Sequence, residues 1–200
     1  MVLYLVRHGM TASNSRVIYA GRTDESVVPQ ARDSILALTG FLCGLSNICK
    51  IYSSPLQRTR DTAEPLSARL NIPIEMVPAL TEMDVGPWSG LTGEEIVKKF
   101  PGEWAIWRRS PFDMRLDGFE DLPSVQARSL RWLHSLRDPS PSTVVFTHES
   151  VIKVILCALL DDPSAYRSLV VANCSVQAIE SQVVDGNVIW MLRAENLYTP

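Results

Sequence analysis

Metal ligands are scarce in this chain: 200 residues hold three histidines and four scattered cysteines. Cys43, Cys49, Cys157 and Cys174 form no C-x-x-C pair, and no histidine stands at ligand spacing from any of them. That leaves no donor set for a structural zinc, and no bound metal is expected. Basic charge is also short, with 19 Lys and Arg against 22 Asp and Glu and a formal net charge of −3. A nucleic-acid binder needs a basic face, so that class of partner is excluded. A local cationic pocket for a small anion is not. Long apolar runs are missing as well: the longest, residues 151–160, contains Lys153 and is too short to span a membrane. Nor does the chain begin with the charged, apolar and small-residue order of a signal peptide. These absences together predict a cytoplasmic protein whose cysteines are buried free thiols, with Cys43 and Cys157 inside apolar helical patterns.

What is present suits a globular protein, and the length suits one domain over residues 1–200. Val2, Leu3, Tyr4, Leu5 and Val6 form a short apolar run without alternation, which reads as a strand buried on both faces. Similar short runs recur at residues 48–53, 72–77 and 143–147. Helical apolar spacing fills residues 31–45, a stretch after Pro55 that includes Leu56, Ala63, Leu66 and Leu70, and residues 150–160. Pro55 suits a first-turn position. Ser124 reads as the cap of a helix running to about Leu136, which Pro139 and Pro141 end. Residues 81–121 are irregular, with short helical stretches near 94–100 and 103–107. Residues 174–180 and 188–193 read as a closing hairpin through Asp185-Gly186-Asn187. Strands that alternate with helices imply a mainly parallel central sheet with helices on both faces, an α/β three-layer sandwich.

Four polar clusters fall where these elements meet. Arg7-His8-Gly9-Met10-Thr11, with Asn14 three residues on, ends the first strand. The carboxyl edge of such a sheet is where ligands bind, and a cation beside an imidazole suits an anion such as phosphate. Ser53-Ser54-Pro55-Leu56-Gln57-Arg58-Thr59 follows the second strand and brings Arg58 to a strand–helix junction; Arg60 reads as a solvated helix charge. Glu82 opens the run Glu82-Met83-Asp84-Val85-Gly86-Pro87-Trp88-Ser89-Gly90. Thr147-His148-Glu149-Ser150 ends another apolar strand. His134, between Leu133 and Leu136, reads as structural or exposed.

These clusters, in this order, resemble the signature of the histidine phosphatase superfamily, whose fold is phosphoglycerate-mutase-like. The resemblance covers essentially the whole chain. It implies that His8 is a nucleophile that forms a phosphohistidine, that Arg7, Arg58 and His148 surround the phosphoryl group, and that Glu82 is the proton donor. Asn14 aligns with a supporting ligand, and Thr23 in Gly21-Arg22-Thr23-Asp24 with a further phosphate contact. A carboxyl group beside a bound dianion should have a raised pKa, which a general acid needs. The arginines supply the positive charge, so the resemblance implies no metal and no cofactor. The chain departs from the pattern at Met10, at Thr59 and, most consequentially, at Glu149-Ser150, where many members have two glycines. Glu149 would either bring unwelcome negative charge to the pocket or point away to bind a substrate amine or hydroxyl; it is expected to be a peripheral specificity residue and not an inactivating one.

Within the family, the spacing to Trp88 and Gly90 and the Val at position 85 resemble the phosphatase branch that includes α-ribazole phosphatases and metal-independent phosphoserine phosphatases. Trp107-Arg108-Arg109-Ser110 resembles a mutase segment, in which Arg108 and Arg109 would bind substrate. The expected partner is thus a small phosphorylated metabolite, with a homodimer as a further possibility. The alternatives are phosphoglycerate-mutase-type transfer and a non-catalytic member of the fold. The loop over residues 88–122 carries no readable code for the substrate.

Overall fold

The structure is a computed structural model that describes residues 1–136, 142–185 and 187–200. In chain order the main elements are β1 (Val2–Arg7), α1 (Ala12–Ser15), α2 (Arg32–Cys43), β2 (Ile48–Ser53), α3 (Gln57–Leu70) and β3 (Ile74–Met76). There follow α4 (Gly93–Lys99), α5 (Pro101–Arg109), α6 (Leu122–Ser135), β4 (Ser142–Thr147), α7 (Glu149–Leu159), β5 (Val176–Val184) and β6 (Asn187–Tyr198). One six-stranded sheet runs in the order β3-β2-β4-β1-β5-β6. The pairs from β3 across to β1 are parallel, and β1–β5 and β5–β6 are antiparallel. The sheet is thus the mainly parallel one expected, closed on one side by a hairpin.

The apolar runs are unalternating because both faces of the sheet are covered. Leu3, Leu5 and Val145 pack with α6, α7 and the aromatic residues of α5, whereas Tyr4, Val6, Val144 and Phe146 pack against α2 and α3. Nine-tenths or more of each of these side chains is removed from water. Burial of this kind contributes about 1.5–3 kcal/mol per large apolar side chain.

Several local expectations need correction. Pro55 precedes α3, whose N-cap is Leu56, so it lies before the first turn. The cap of α6 is Asp121, whose carboxylate accepts a 2.8 Å hydrogen bond from the Ser124 N–H. A carboxylate is as good a cap as a serine hydroxyl and also suits the helix dipole. The third strand is only Ile74–Met76. Cys157 and Cys174 are buried, but Cys43 is half-buried and Cys49 exposed; all four are free thiols. Pro139, Pro141 and Gly186 lie outside the described residues. Among the described residues no helix is long and apolar enough to cross a membrane.

Candidate active site

Register brings the polar clusters together. Arg7 pairs with Thr147 across β1 and β4, and Ser53 pairs with Phe146 across β2 and β4. The ladders continue one step further, with His8 N–H donating to Thr147 O at 3.1 Å and Ser54 N–H to Phe146 O at 2.9 Å. His8, Ser54 and His148 therefore leave the sheet side by side, and the His8 and His148 ring centroids are 5.2 Å apart. Arg7, His8, Asn14, Arg58, Glu82 and Glu149 line one cavity of about 540 Å³ at this edge.

His8 is held in one tautomer. Its Nδ1 lies 2.7 Å from Gly9 O, and a carbonyl only accepts, so Nδ1 carries the proton and Nε2 keeps its lone pair. Burial holds the imidazole pKa well below its ordinary value, and the Arg58 and Arg7 charges push it the same way. The ring is therefore neutral near pH 7, with the Nε2 lone pair unprotonated. Gly9 is not in a left-handed turn; a Cβ there would meet Ile35 Cδ1 on α2 at 2.8 Å, so the tip of that side chain would have to move. The Gly9 N–H donates to Thr62 Oγ1, which itself donates to Arg58 O, so α3 is tied to the end of β1.

The Thr11-x-x-Asn14 spacing has a mechanical reason. Thr11 Oγ1 accepts from Asn14 N–H at 3.3 Å and Asn14 Oδ1 from Thr11 N–H at 3.1 Å, a reciprocal cap on α1. Asn14 Oδ1 also accepts from Asn173 Nδ2, which donates to His8 O at 3.0 Å. Asn173 is a site residue that sequence reasoning missed, because it sits in a motif-less turn before β5.

Arg58 enters in the first turn of α3 and is 2% exposed. It donates Nη1 to Thr23 O at 2.7 Å and Nη2 to Gly21 O at 2.8 Å. Thr23 thus acts through its carbonyl; its hydroxyl pairs with Ser89 and does not line the cavity. The Glu82 backbone carbonyl accepts from Arg22 Nε, and Arg22 joins Glu120 and Arg128 in an ion network beneath this loop. Burial raises the Glu82 pKa, while the Met83 N–H bond at 2.8 Å and the Arg58 charge oppose the rise. Trp88, wholly buried, anchors the same loop among Tyr19, Trp104, Trp107 and Phe119. At Gly86 (φ +46°) a Cβ would lie 2.2 Å from Gly118 O, so only glycine fits.

Other expected residues fall differently. His148 stands behind His8 and does not line the cavity; it is wholly buried, with Nε2 2.8 Å from Ser54 Oγ and no protein partner on Nδ1. Burial and the Arg58 charge hold its pKa well below the ordinary value. Arg108 and Arg109 are exposed on α5 and outside the cavity, because the apolar face of that helix turns Trp107 inward instead. Arg60 is half-buried and donates to Gln57 Oε1, so it is not a plain solvated charge. His134 is exposed. Glu149 is not peripheral: its Oε2 is 2.9 Å from Arg7 Nη1, and its Oε1 is 2.7 Å from Lys153 Nζ.

The sequence matches the histidine phosphatase superfamily (branch 1) over residues 3–190. It is 30% identical over 183 residues to phosphoserine phosphatase 1 of Hydrogenobacter thermophilus, covering 90% of this chain and 86% of that one. Several longer curated relatives are matched over only 33–44% of their own length. A mycobacterial glucosyl-3-phosphoglycerate phosphatase superposes with a TM-score of 0.85 at 26% identity, covering 98% of both chains. The α-ribazole phosphatase of Shigella flexneri shares the fold, with a TM-score of 0.83 at 20% identity over 98% of this chain and 96% of that one. The match over nearly the whole chain, with the family's residues gathered at one sheet edge, makes this protein a member of the histidine phosphatase superfamily.

Proposed function

We propose that the chain is a metal-independent phosphomonoesterase that hydrolyses a small phosphorylated metabolite through a phosphohistidine on His8, as one domain over residues 1–200. One observation carries this reading. Arg7 Nε is buried without a protein partner beside His8, whose Nε2 is free. Buried polar atoms are normally satisfied, and a phosphoryl group before His8 would satisfy it. Arg58, already fixed by two carbonyls, adds a preorganised positive charge.

The chemistry follows from these roles. His8 Nε2 attacks phosphorus in line, and the P–O bond to the alcohol breaks as the N–P bond forms. Glu82, whose pKa burial raises, is the group that gives a proton to the leaving oxygen. The Glu82 carboxylate then takes a proton from water as that water attacks the phosphohistidine, returning His8 and releasing inorganic phosphate. Arg7 and Arg58 stabilise the charge on the equatorial oxygens, the task a metal performs elsewhere, while His148 packs against the His8 ring. Asn14 and Asn173 keep the His8 backbone in place.

The mutase alternative drew on Arg108 and Arg109, and neither lines the cavity. The non-catalytic alternative would be marked by loss of His8, Arg58 or Glu82, and all three are present. Four cysteines without a disulfide accord with a reducing, cytoplasmic setting. A homodimer would draw on the exposed Val183, Ile189 and Met191 of the β5–β6 hairpin. The test is hydrolysis of p-nitrophenyl phosphate with excess chelator. Undiminished turnover is expected; loss on chelation, restored by Mg²⁺ or Zn²⁺, would overturn the metal-free mechanism.

A further inference from the structure

Beyond the phosphoryl position the cavity has a second half, lined by Glu149, Ser150 and Lys153 of α7, by Tyr166 and Arg167 after it, and by Trp107. An alcohol leaving group bound with its phosphate at His8 must lie here. The charges in this half are already arranged. The Glu149 carboxylate spans two cations, Arg7 at 2.9 Å and Lys153 at 2.7 Å. Lys153 is no loose surface charge: its side chain is 12% exposed, and its Nζ sits 5.3 Å above the centre of the Tyr166 ring. Glu149 precedes Lys153 by four residues in the favourable orientation, and it occupies the first turn of α7, where the helix dipole also favours a carboxylate. Although burial works to raise its pKa, the Arg7 and Lys153 charges prevail and lower it, so Glu149 is ionised at neutral pH.

The consequence concerns which alcohols fit. Arg7 and Lys153 are the two largely buried cations of this half, and both already hold a carboxylate, whereas Arg167 is exposed. A substrate whose own carboxylate or second phosphate reaches Arg7 or Lys153 must displace Glu149 or lie beside its negative charge. A neutral hydroxyl can donate to Glu149 without either cost. We infer that Glu149 is a specificity-determining residue that directs this site to phosphomonoesters of neutral, hydroxyl-bearing alcohols and against those whose alcohol carries a second anion. This rests on the phosphatase reading given above.

The test compares two substrates with one carbon skeleton, glycerol phosphate and 3-phosphoglycerate, by the ratio of their kcat/KM values. Both present the same phosphoryl group, so damage to the phosphate site divides out and only leaving-group recognition moves the ratio. The unaltered enzyme should favour glycerol phosphate by about tenfold or more. Glu149→Gln should lower that preference about tenfold or invert it, because Lys153 is freed for the substrate carboxylate. Lys153→Gln should raise it, since the Glu149 charge stays and a neutralising cation goes. A ratio unmoved by Glu149→Gln, or both variants shifting it the same way, would overturn the inference. If Glu149→Gln does not fold, the direction of the Lys153→Gln shift decides. Turnover of p-nitrophenyl phosphate by the unaltered enzyme separates the two failures. Activity with an unmoved ratio sinks this inference alone, and no activity sinks the phosphatase reading with it.

Discussion

The two halves of the cavity are built on different principles. In the phosphate half His8 leaves a strand end, Arg58 the first turn of α3 and Glu82 a loop, and each is pinned by backbone: His8 by Gly9 O, Arg58 by Thr23 O and Gly21 O, Glu82 by its own Met83 N–H. In the leaving-group half the charges hold one another, through the pairs Arg7–Glu149 and Glu149–Lys153, with Tyr166 as a floor. Backbone partners cannot rearrange, so the first half presents one fixed charge pattern suited to one transition state. Side-chain pairs can be changed by a single substitution, so the second half is where members of one fold can differ in substrate. The proposed chemistry belongs to the rigid half and the selectivity to the adjustable one.

The comparison breaks most visibly in the rigid half. Arg58→Ala should reduce kcat/KM by about 100-fold or more on every phosphomonoester and weaken competitive inhibition by vanadate. An effect confined to some alcohols would move Arg58 into the leaving-group half. Glu82→Gln comes next and should sort substrates by leaving group. Alkyl phosphates should slow by about 100-fold or more, the usual range for a lost general acid, and aryl phosphates far less. Equal slowing of both would argue against proton donation. The pH profile of kcat/KM should be bell-shaped, falling in acid as the depressed His8 protonates and falling again as Glu82 loses its proton at its raised pKa.

The smallest expected effect is on stability. His8 and His148 have folded pKa values well below the 6.5 of a free imidazole. Below 6.5 the unfolded chain takes up protons that the folded chain refuses, so stability is complete above that pH and declines as pH falls toward the carboxylate range. The slope approaches about 1.4 kcal/mol per pH unit for each histidine. Glu82 works in the opposite sense, because its raised pKa favours the folded state as pH drops, and offsets part of the loss. Thermal unfolding at several pH values checks this. His8→Gln combined with His148→Gln should flatten the slope, and an unchanged slope would show that the histidines are not its source.

The same division governs what the sequence discloses. Val2 to Val6 read as a two-faced strand because its burial leaves no room for polar alternation, and the edge at Arg7-His8 followed from that. Arg58 was legible because strand–helix junctions at this edge face the ligand. Asn173, Lys153 and Tyr166 were not, because each acts from a position where composition and period say nothing about direction. Glu149 was legible as a departure, but its partners were not: a salt bridge to Arg7 joins residues 142 positions apart, and only the register of β1 with β4 brings them together. Arg108 and Arg109 misled for the converse reason, since a familiar local string does not fix which side of α5 faces the cavity.

The central claim is that His8 carries the phosphoryl group. Rapid quenching of a reaction with phosphoryl-labelled substrate into alkali, with chelator present, tests it directly. The prediction is a stoichiometric label on the protein that survives alkali, is lost in acid, maps to the peptide containing His8, and is absent in His8→Ala along with turnover. A label that maps elsewhere, or near-native turnover by His8→Ala, would contradict the claim.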